Sequence, residues 1–318
     1  LAAYGKNYLI ISLGSMAMIM LLFINNAVFR AAGDAKIAMY SLWLANGINI
    51  VLDPLLIFGL GPIPALGLEG AAIASVIGRL SGVFFQAWIL ARGTGVIRLS
   101  AKHLRFRIQL MLKLARLSIA ATIQQLVESA SWIILVRLIS AFGPAAVAGY
   151  TIAMRILVFA FLPAMGMANA AATLVGQNLG AERPDRAEKA VWRTCAWAAG
   201  AFFVVMLLFI PLAGPLVRLF VDDPEVVREG SMALYIVSYG YVTFAVGVVL
   251  VQAFNGAGDT TTPLWLSVVS LWFVKLPMAY LLAEVFEVGS MGIYLAITIS
   301  YSIMALIGGV IFRQGKWK

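Results

Sequence analysis

The sequence predicts an all-α fold, a polytopic bundle of transmembrane helices. Hydrophobic residues fill 62% of the 318 positions and charged residues 12%, against roughly a quarter charged in ordinary soluble domains. Apolar stretches of about 20 residues, enough to cross roughly 30 Å of hydrocarbon, recur from end to end. Lys and Arg collect between those stretches rather than along one face, so the net charge of +9 does not outline a nucleic-acid surface.

Apolar runs bounded by charges, Gly or Pro give nine spans, A to I, at 8–29, 37–59, 67–91, 117–142, 145–175, 192–219, 231–254, 262–283 and 289–312. With the residues before A outside, the connections after A, C, E, G and I are inside and hold 15 of the 23 Lys and Arg; the outside connections hold two. Arg79, Arg137, Arg155 and Lys275 fall within spans, as do Arg193 and Arg218 at the two ends of F, and an outside segment carries Asp222, Asp223, Glu225 and Glu229. The Lys/Arg asymmetry predicts that the basic segment 92–116 is a cytoplasmic loop. Span E is too long for a straight crossing and contains Pro163 followed by Gly166, which predicts a bend that could serve as a hinge.

The spans repeat. Ala32-Gly33-Asp34 after A recurs as Ala257-Gly258-Asp259 after G, Pro54 in B as Pro277 in H, and Gly67-x-x-Gly70-x-x-x-Ala74 as Gly289-x-x-Gly292-x-x-x-Ala296. The spacings drift only from 225 to 223 to 222 residues. Spans A to C therefore match G to I, and six spans between the copies make this a parallel repeat about an axis along the membrane normal. D, E and F precede G while nothing precedes A, so the expected whole has twelve helices in two pseudo-symmetric lobes, of which nine are present. The domains follow: 1–91, three helices of an N-lobe; 92–116, the inter-lobe loop; and 117–318, a six-helix C-lobe.

The same residues exclude several chemistries. Cys195 alone cannot form an intrachain disulfide or a thiolate cluster, and His103 sits among Lys102, Arg105 and Arg107, where a solvated loop residue is expected rather than a metal ligand. No G-x-x-x-x-G-K-[ST] loop is present to hold a nucleotide, which leaves ion gradients as the energy source. Acidic residues inside spans are solitary, against the clusters an intramembrane enzyme needs, so no catalytic residues and no cofactor are expected.

A charge in hydrocarbon costs roughly 2.5 to 3.5 kcal/mol and persists where it faces a cavity or a partner. Asn49 precedes Asp53 by one helical turn, and Pro54 withholds a backbone N–H beside them, a plausible site for a proton or small cation; a hydrogen-bonding role at a kinked helix is the plainer alternative. Pro54 is also a candidate hinge. Glu128, with Gln124 one turn earlier, is either a second coupling residue or half of a buried ion pair with Lys275 or Arg155. Met154, Phe159, Met165, Tyr239, Tyr241 and Phe244, with Gln124, are candidate walls of an adaptable substrate chamber.

Phe29-Arg30-Ala31-Ala32-Gly33-Asp34, Asn49-Ile50-Val51-Leu52-Asp53-Pro54 and Gly67-Leu68-Glu69-Gly70 resemble helices four to six of multidrug and toxic compound extrusion (MATE) transporters. Val175-Gly176-Gln177-Asn178-Leu179-Gly180 and Asn255-Gly256-Ala257-Gly258-Asp259-Thr260 resemble segments of the family's second lobe. The resemblance covers essentially the whole chain and lacks the first three helices, including the family's helix-one aspartate. It implies a monomeric, multi-pass antiporter of a bacterial or archaeal plasma membrane, which exports small amphipathic, often cationic compounds in exchange for H⁺ or Na⁺. In the DinF-like branch the cation site is an N-x-x-x-D pair, which carries over to Asn49 and Asp53, with Ser75 where a threonine is usual; Na⁺ there is the one metal expected. The other bacterial branch pairs the seventh-helix glutamate, here Glu128, with an aspartate that span G lacks, so the resemblance favours the N-lobe site. A lipid-linked oligosaccharide or polysaccharide flippase of the same superfamily is the alternative, and would line its cavity with Arg or Lys. A membrane scaffold or intramembrane enzyme is the reading from another class.

Overall fold

The computed structural model describes residues 2–59, 64–93, 97 and 107–318. Every regular element among them is a helix. The chain divides into two compact units, residues 1–106 and 107–318.

Unit 1 holds α1 (Ala2–Gly14), α2 (Met16–Ala31), α3 (Ala35–Phe58) and α4 (Gly67–Arg92). Helices α3 and α4 pack along their lengths, and α1 and α2 lie against α4. Unit 2 holds α5 (Ile108–Ser140), α6 (Pro144–Gly180), α7 (Pro184–Arg218), α8 (Pro224–Tyr239), α9 (Tyr241–Gly256), α10 (Thr261–Val285) and α11 (Ser290–Arg313). Its core gathers around α6, α8, α9 and α11, with Tyr150, Phe202, Leu234, Phe254 and Ile293 buried. Large apolar side chains such as Phe58, Phe84, Trp197 and Phe273 remain exposed, as expected where lipid rather than water is the solvent. Among the described residues seven helices are long and apolar enough to span a membrane, or nine if each of two bent pairs counts as one span.

Those bent pairs correct the expected elements. Span A is α1 and α2, broken by 40° around Ser15, and span G is α8 and α9, broken by 57° at Gly240. Gly240 fits the break because any side chain there would press on Thr298 of α11. Helix α6 continues through Pro163 and α3 through Pro54 without a break, and both prolines are exposed. The segment 92–116 is not all loop: α5 starts at Ile108, so Lys113 and Arg116 are helical. Charge marked that boundary in the sequence, but Leu110, Met111, Leu112 and Leu114 keep the run apolar, and long basic side chains can reach a membrane interface from within a helix. His103 and its basic neighbours at 98–106 lie outside the described residues.

The repeated sequence forms repeated structure inside each unit. After α2, Ala32 N bonds Val28 O, Gly33 N bonds Arg30 O and Asp34 N bonds Phe29 O; after α9, Ala257 N bonds Ala253 O, Gly258 N bonds Asn255 O and Asp259 N bonds Phe254 O. Both turns put glycine at positive φ, 88° at Gly33 and 83° at Gly258, where a side chain would be strained. Both Asp carboxylates then cap the next helix, Asp34 accepting from Ile37 N and Asp259 from Thr261 N and Thr262 N. Gly70 of α4 sits on the Leu56–Ile57 peptide of α3, and Gly292 of α11 on the Leu282–Ala283 peptide of α10.

These contacts correct the middle landmark. The turns match at a spacing of 225 residues, but Leu56 matches Leu282, one residue more. The extra residue is absorbed in α10, whose segment Val268–Lys275 winds as a π-helix; a second π turn covers Leu281–Val285. A π turn holds one residue more than an α turn. Packing therefore sets Pro54 level with Tyr280 rather than with Pro277.

Candidate functional site

In unit 1, Asn49 and Asp53 face the same way on α3 because they are one turn apart. Asn49 Nδ2 donates to Asp53 Oδ1 at 3.1 Å and reaches Ser75 Oγ of α4 at 3.5 Å. The contact is close because Gly78 of α4 lets Ala45 and Asn49 approach its backbone. All three polar side chains are half-buried. Asn49 turns its amide N–H toward the Asp53 carboxylate and the Ser75 hydroxyl, and those two oxygens are the groups here that could take a proton or a small hard cation.

In unit 2, a cavity of about 550 Å³ opens between α5, α6, α8, α9, α10 and α11. Helix α6 contributes Met154, Leu157, Val158, Phe161 and Met165, a stripe at helical spacing; α8 and α9 contribute Val237, Tyr241, Phe244, Val248, Gln252 and Asn255. Glu128, Gln124 and Gln125 on α5 supply the polar wall. Glu128 Oε1 accepts from Gln124 Nε2 and from Ser267 Oγ of α10, each at 3.1 Å. Phe161, Tyr241, Phe244 and Tyr301 form a chain of ring contacts, with Phe244 edge-on to Tyr301 at 4.9 Å. The space thus offers one carboxylate, aromatic faces and deformable thioethers to a ligand.

Of the expected chamber residues, Gln124, Met154, Met165, Tyr241 and Phe244 line this cavity. Phe159 and Tyr239 do not: they sit off the helical stripes and are 74% and 50% exposed, Tyr239 donating to the Tyr235 hydroxyl at 2.9 Å. Gln252, Asn255 and Tyr301 were missed, although Gln252 and Asn255 continue the Tyr241–Phe244–Val248 spacing. Lys275 is buried at 4% exposure, its ammonium 6.0 Å from the Tyr301 ring centre, and forms no ion pair with Glu128 within 4.0 Å. Arg137 and Arg155 are exposed, so neither is a buried partner for Glu128. Among the described residues no group of three or more His, Cys, Asp or Glu could hold a metal ion.

The MatE family model matches residues 120–281, which include most of the cavity wall. The probable multidrug resistance protein NorM of Thermotoga maritima is 25% identical, over 99% of this chain and 68% of that protein. The FAD transporter of Shewanella oneidensis is 27% identical over 91% of this chain, and the multidrug export protein MepA of Staphylococcus aureus 23% identical over 96%. These matches span 64% and 66% of those two proteins. Among solved structures, a MATE in the bent conformation superposes with a TM-score of 0.88 at 24% identity, covering 97% of this chain and 68% of that one. An outward-facing multidrug resistance MATE family transporter of the MOP superfamily gives 0.89 at 23%, with the same coverage.

Proposed function

The chain belongs to the MatE family of transporters, and from that premise we propose that it is the larger part of a secondary active multidrug exporter. It exchanges small amphipathic, often cationic compounds for H⁺ or Na⁺ by alternating access. The observation that carries this reading is the unit 2 cavity, in which a single carboxylate faces aromatic rings and methionines. A cation gains from both the carboxylate and the ring faces, while thioether and aromatic walls accommodate varied shapes. Names of relatives such as NorM and MepA agree with multidrug export. Among the described residues, the lining of this cavity contains neither Lys nor Arg, which suits an organic cation better than a lipid-linked phosphate.

Coupling is assigned to Asn49, Asp53 and Ser75. A ligand shifts the inward–outward equilibrium only by binding one state more tightly than the other. Cation entering from outside neutralises Asp53, lets α3 relax at Pro54 and favours the drug-releasing state; loss of cation to the inside restores drug uptake. The exporter works as a monomer, without a cofactor, in a bacterial or archaeal plasma membrane, with the 92–116 segment on the cytoplasmic side. In proteoliposomes of the full-length protein, Asp53→Asn abolishes gradient-driven efflux, whereas Glu128→Gln lowers it or changes the range of compounds exported. Full activity of Asp53→Asn removes this assignment.

A further inference from the structure

The π turn in α10 changes what the second copy presents. Beyond it, positions align at the longer spacing set by Leu56 and Leu282, and Lys275, the last residue of the π segment, falls within one residue of the place of Asn49. The first copy has an amide next to a carboxylate at this level; the second has an ammonium. Polar groups of α5 and α10 meet near Glu128. Glu128 Oε1 and Ser267 Oγ meet at 3.1 Å between α5 and α10, and Trp272 Nε1 ties the same helices by donating to Val127 O at 3.1 Å. One turn further along each helix, Ser131 and Ser270 bury hydroxyls that have no hydrogen-bonding partner. Lys275 itself makes no hydrogen bond among the described residues, and its named neighbours are the Tyr301 ring and the charge of Glu128. A buried ammonium with no hydrogen-bond acceptor is unfavourable, and so are buried hydroxyls with no donor or acceptor opposite them. One arrangement removes both costs: an ammonium held among the carboxylate and hydroxyl oxygens of α5 and α10.

We infer that Lys275 is a resident cation for unit 2, tethered beside the Glu128, Ser131, Ser267 and Ser270 oxygens where a free Na⁺ would otherwise bind, so that this copy carries a fixed charge instead of an exchangeable one. A carboxylate and three hydroxyls form an oxygen set of the hard-cation type, and the lysine denies it to Na⁺.

The idea extends the reading of Asn49, Asp53 and Ser75 as the exchangeable site, so the test uses full-length Asp53→Asn protein, in which failure of that reading cannot mask failure of this one. Thermal unfolding is followed in Na⁺ and in N-methylglucamine. With Lys275 intact, Na⁺ leaves the melting temperature unmoved. In Lys275→Met and Lys275→Gln the melting temperature falls, Na⁺ restores it, and Glu128→Gln added to either variant removes the Na⁺ response. Adding Glu128→Gln to Lys275→Met also recovers much of the lost stability in the absence of Na⁺, because neither charge is then left alone; this arm holds even if Na⁺ binds weakly. A Na⁺ response with Lys275 intact overturns the inference. So do Lys275 variants that ignore Na⁺ and gain nothing from Glu128→Gln.

Discussion

The two copies of the three-helix element, α2–α3–α4 and α9–α10–α11, share their turns and differ in what they bury. Asn26, Ser41 and Gln86 form a buried set in the first, with Gln86 Nε2 2.7 Å from Asn26 Oδ1 and 2.8 Å from Ser41 Oγ. At the corresponding places the second has Val251, Leu266 and Gly308, and the Leu266 side chain fills the space above Gly308. Nearby the copies exchange a knob and a hole: Leu22 packs onto Gly82 in the first, whereas Met304 packs onto Gly247 in the second. In both, a small residue lets the helices approach and one side chain fills the gap. The turns and close contacts are repeated because they fix helix geometry. Polar content is free to diverge, and the polar residues that could exchange a cation are in the first copy.

Removing the knobs is the largest expected perturbation. Met304→Ala and Leu22→Ala each delete a buried side chain over a glycine, at roughly 2–5 kcal/mol. Chemical denaturation of full-length protein in detergent should give similar losses for both. A much smaller loss for one would mean that the hollow over its glycine closes when the knob is removed.

Gln86→Leu comes next, at about 1–3 kcal/mol, because Asn26 Oδ1 loses a buried donor. Installing the second copy's set in the first, Asn26→Val with Ser41→Leu and Gln86→Gly, removes all the polar partners together and should cost less than the single change. Greater damage from the triple variant would show that the polar set does more than hold helices.

The helix caps give the smallest effect. Asp259 accepts from the Thr261 and Thr262 backbones and the Thr261 hydroxyl, while Asp34 accepts from Ile37 N at 3.4 Å. Asp259→Ala should cost about 1 kcal/mol and Asp34→Ala less. Burial opposes ionisation of Asp259, but hydrogen bonds from Thr262 and Thr261 outweigh it and hold its carboxyl below the usual 3.8. Its contribution is therefore present above that value and is lost as pH falls through the lower folded-state value. The difference between wild type and Asp259→Ala should persist at pH 5; its loss there would contradict the capping geometry.

Length and hydropathy were enough to place the spans, and the i, i+4 spacing of Asn49 and Asp53 was enough to place them on one face. The breaks at Ser15 and Gly240 were not legible, because each lies inside a continuous apolar run and is made by packing, as Thr298 against Gly240 shows. The π turn was hidden for a related reason: Val-Val-Ser-Leu-Trp-Phe-Val-Lys suits an α-helix, and Pro277 offered a false match to Pro54 that concealed the added residue. Chamber residues chosen by type alone included Phe159 and Tyr239, while helical spacing from Met154 and Tyr241 picks out the observed wall. Ser75 rested on family resemblance, since no local pattern ties α4 to Asn49.

The proposed division of labour, an exchangeable cation at Asp53 and a drug cavity beside Glu128, is tested most directly by equilibrium linkage. Drug affinity of the full-length protein is measured across a range of pH and Na⁺, for wild type and for Asp53→Asn. Reciprocity requires that cation weaken drug binding by the same factor as drug weakens cation binding. The expected result is an affinity that falls with added H⁺ or Na⁺ in wild type and ignores both in Asp53→Asn. An affinity unchanged by either cation with Asp53 intact would contradict the account.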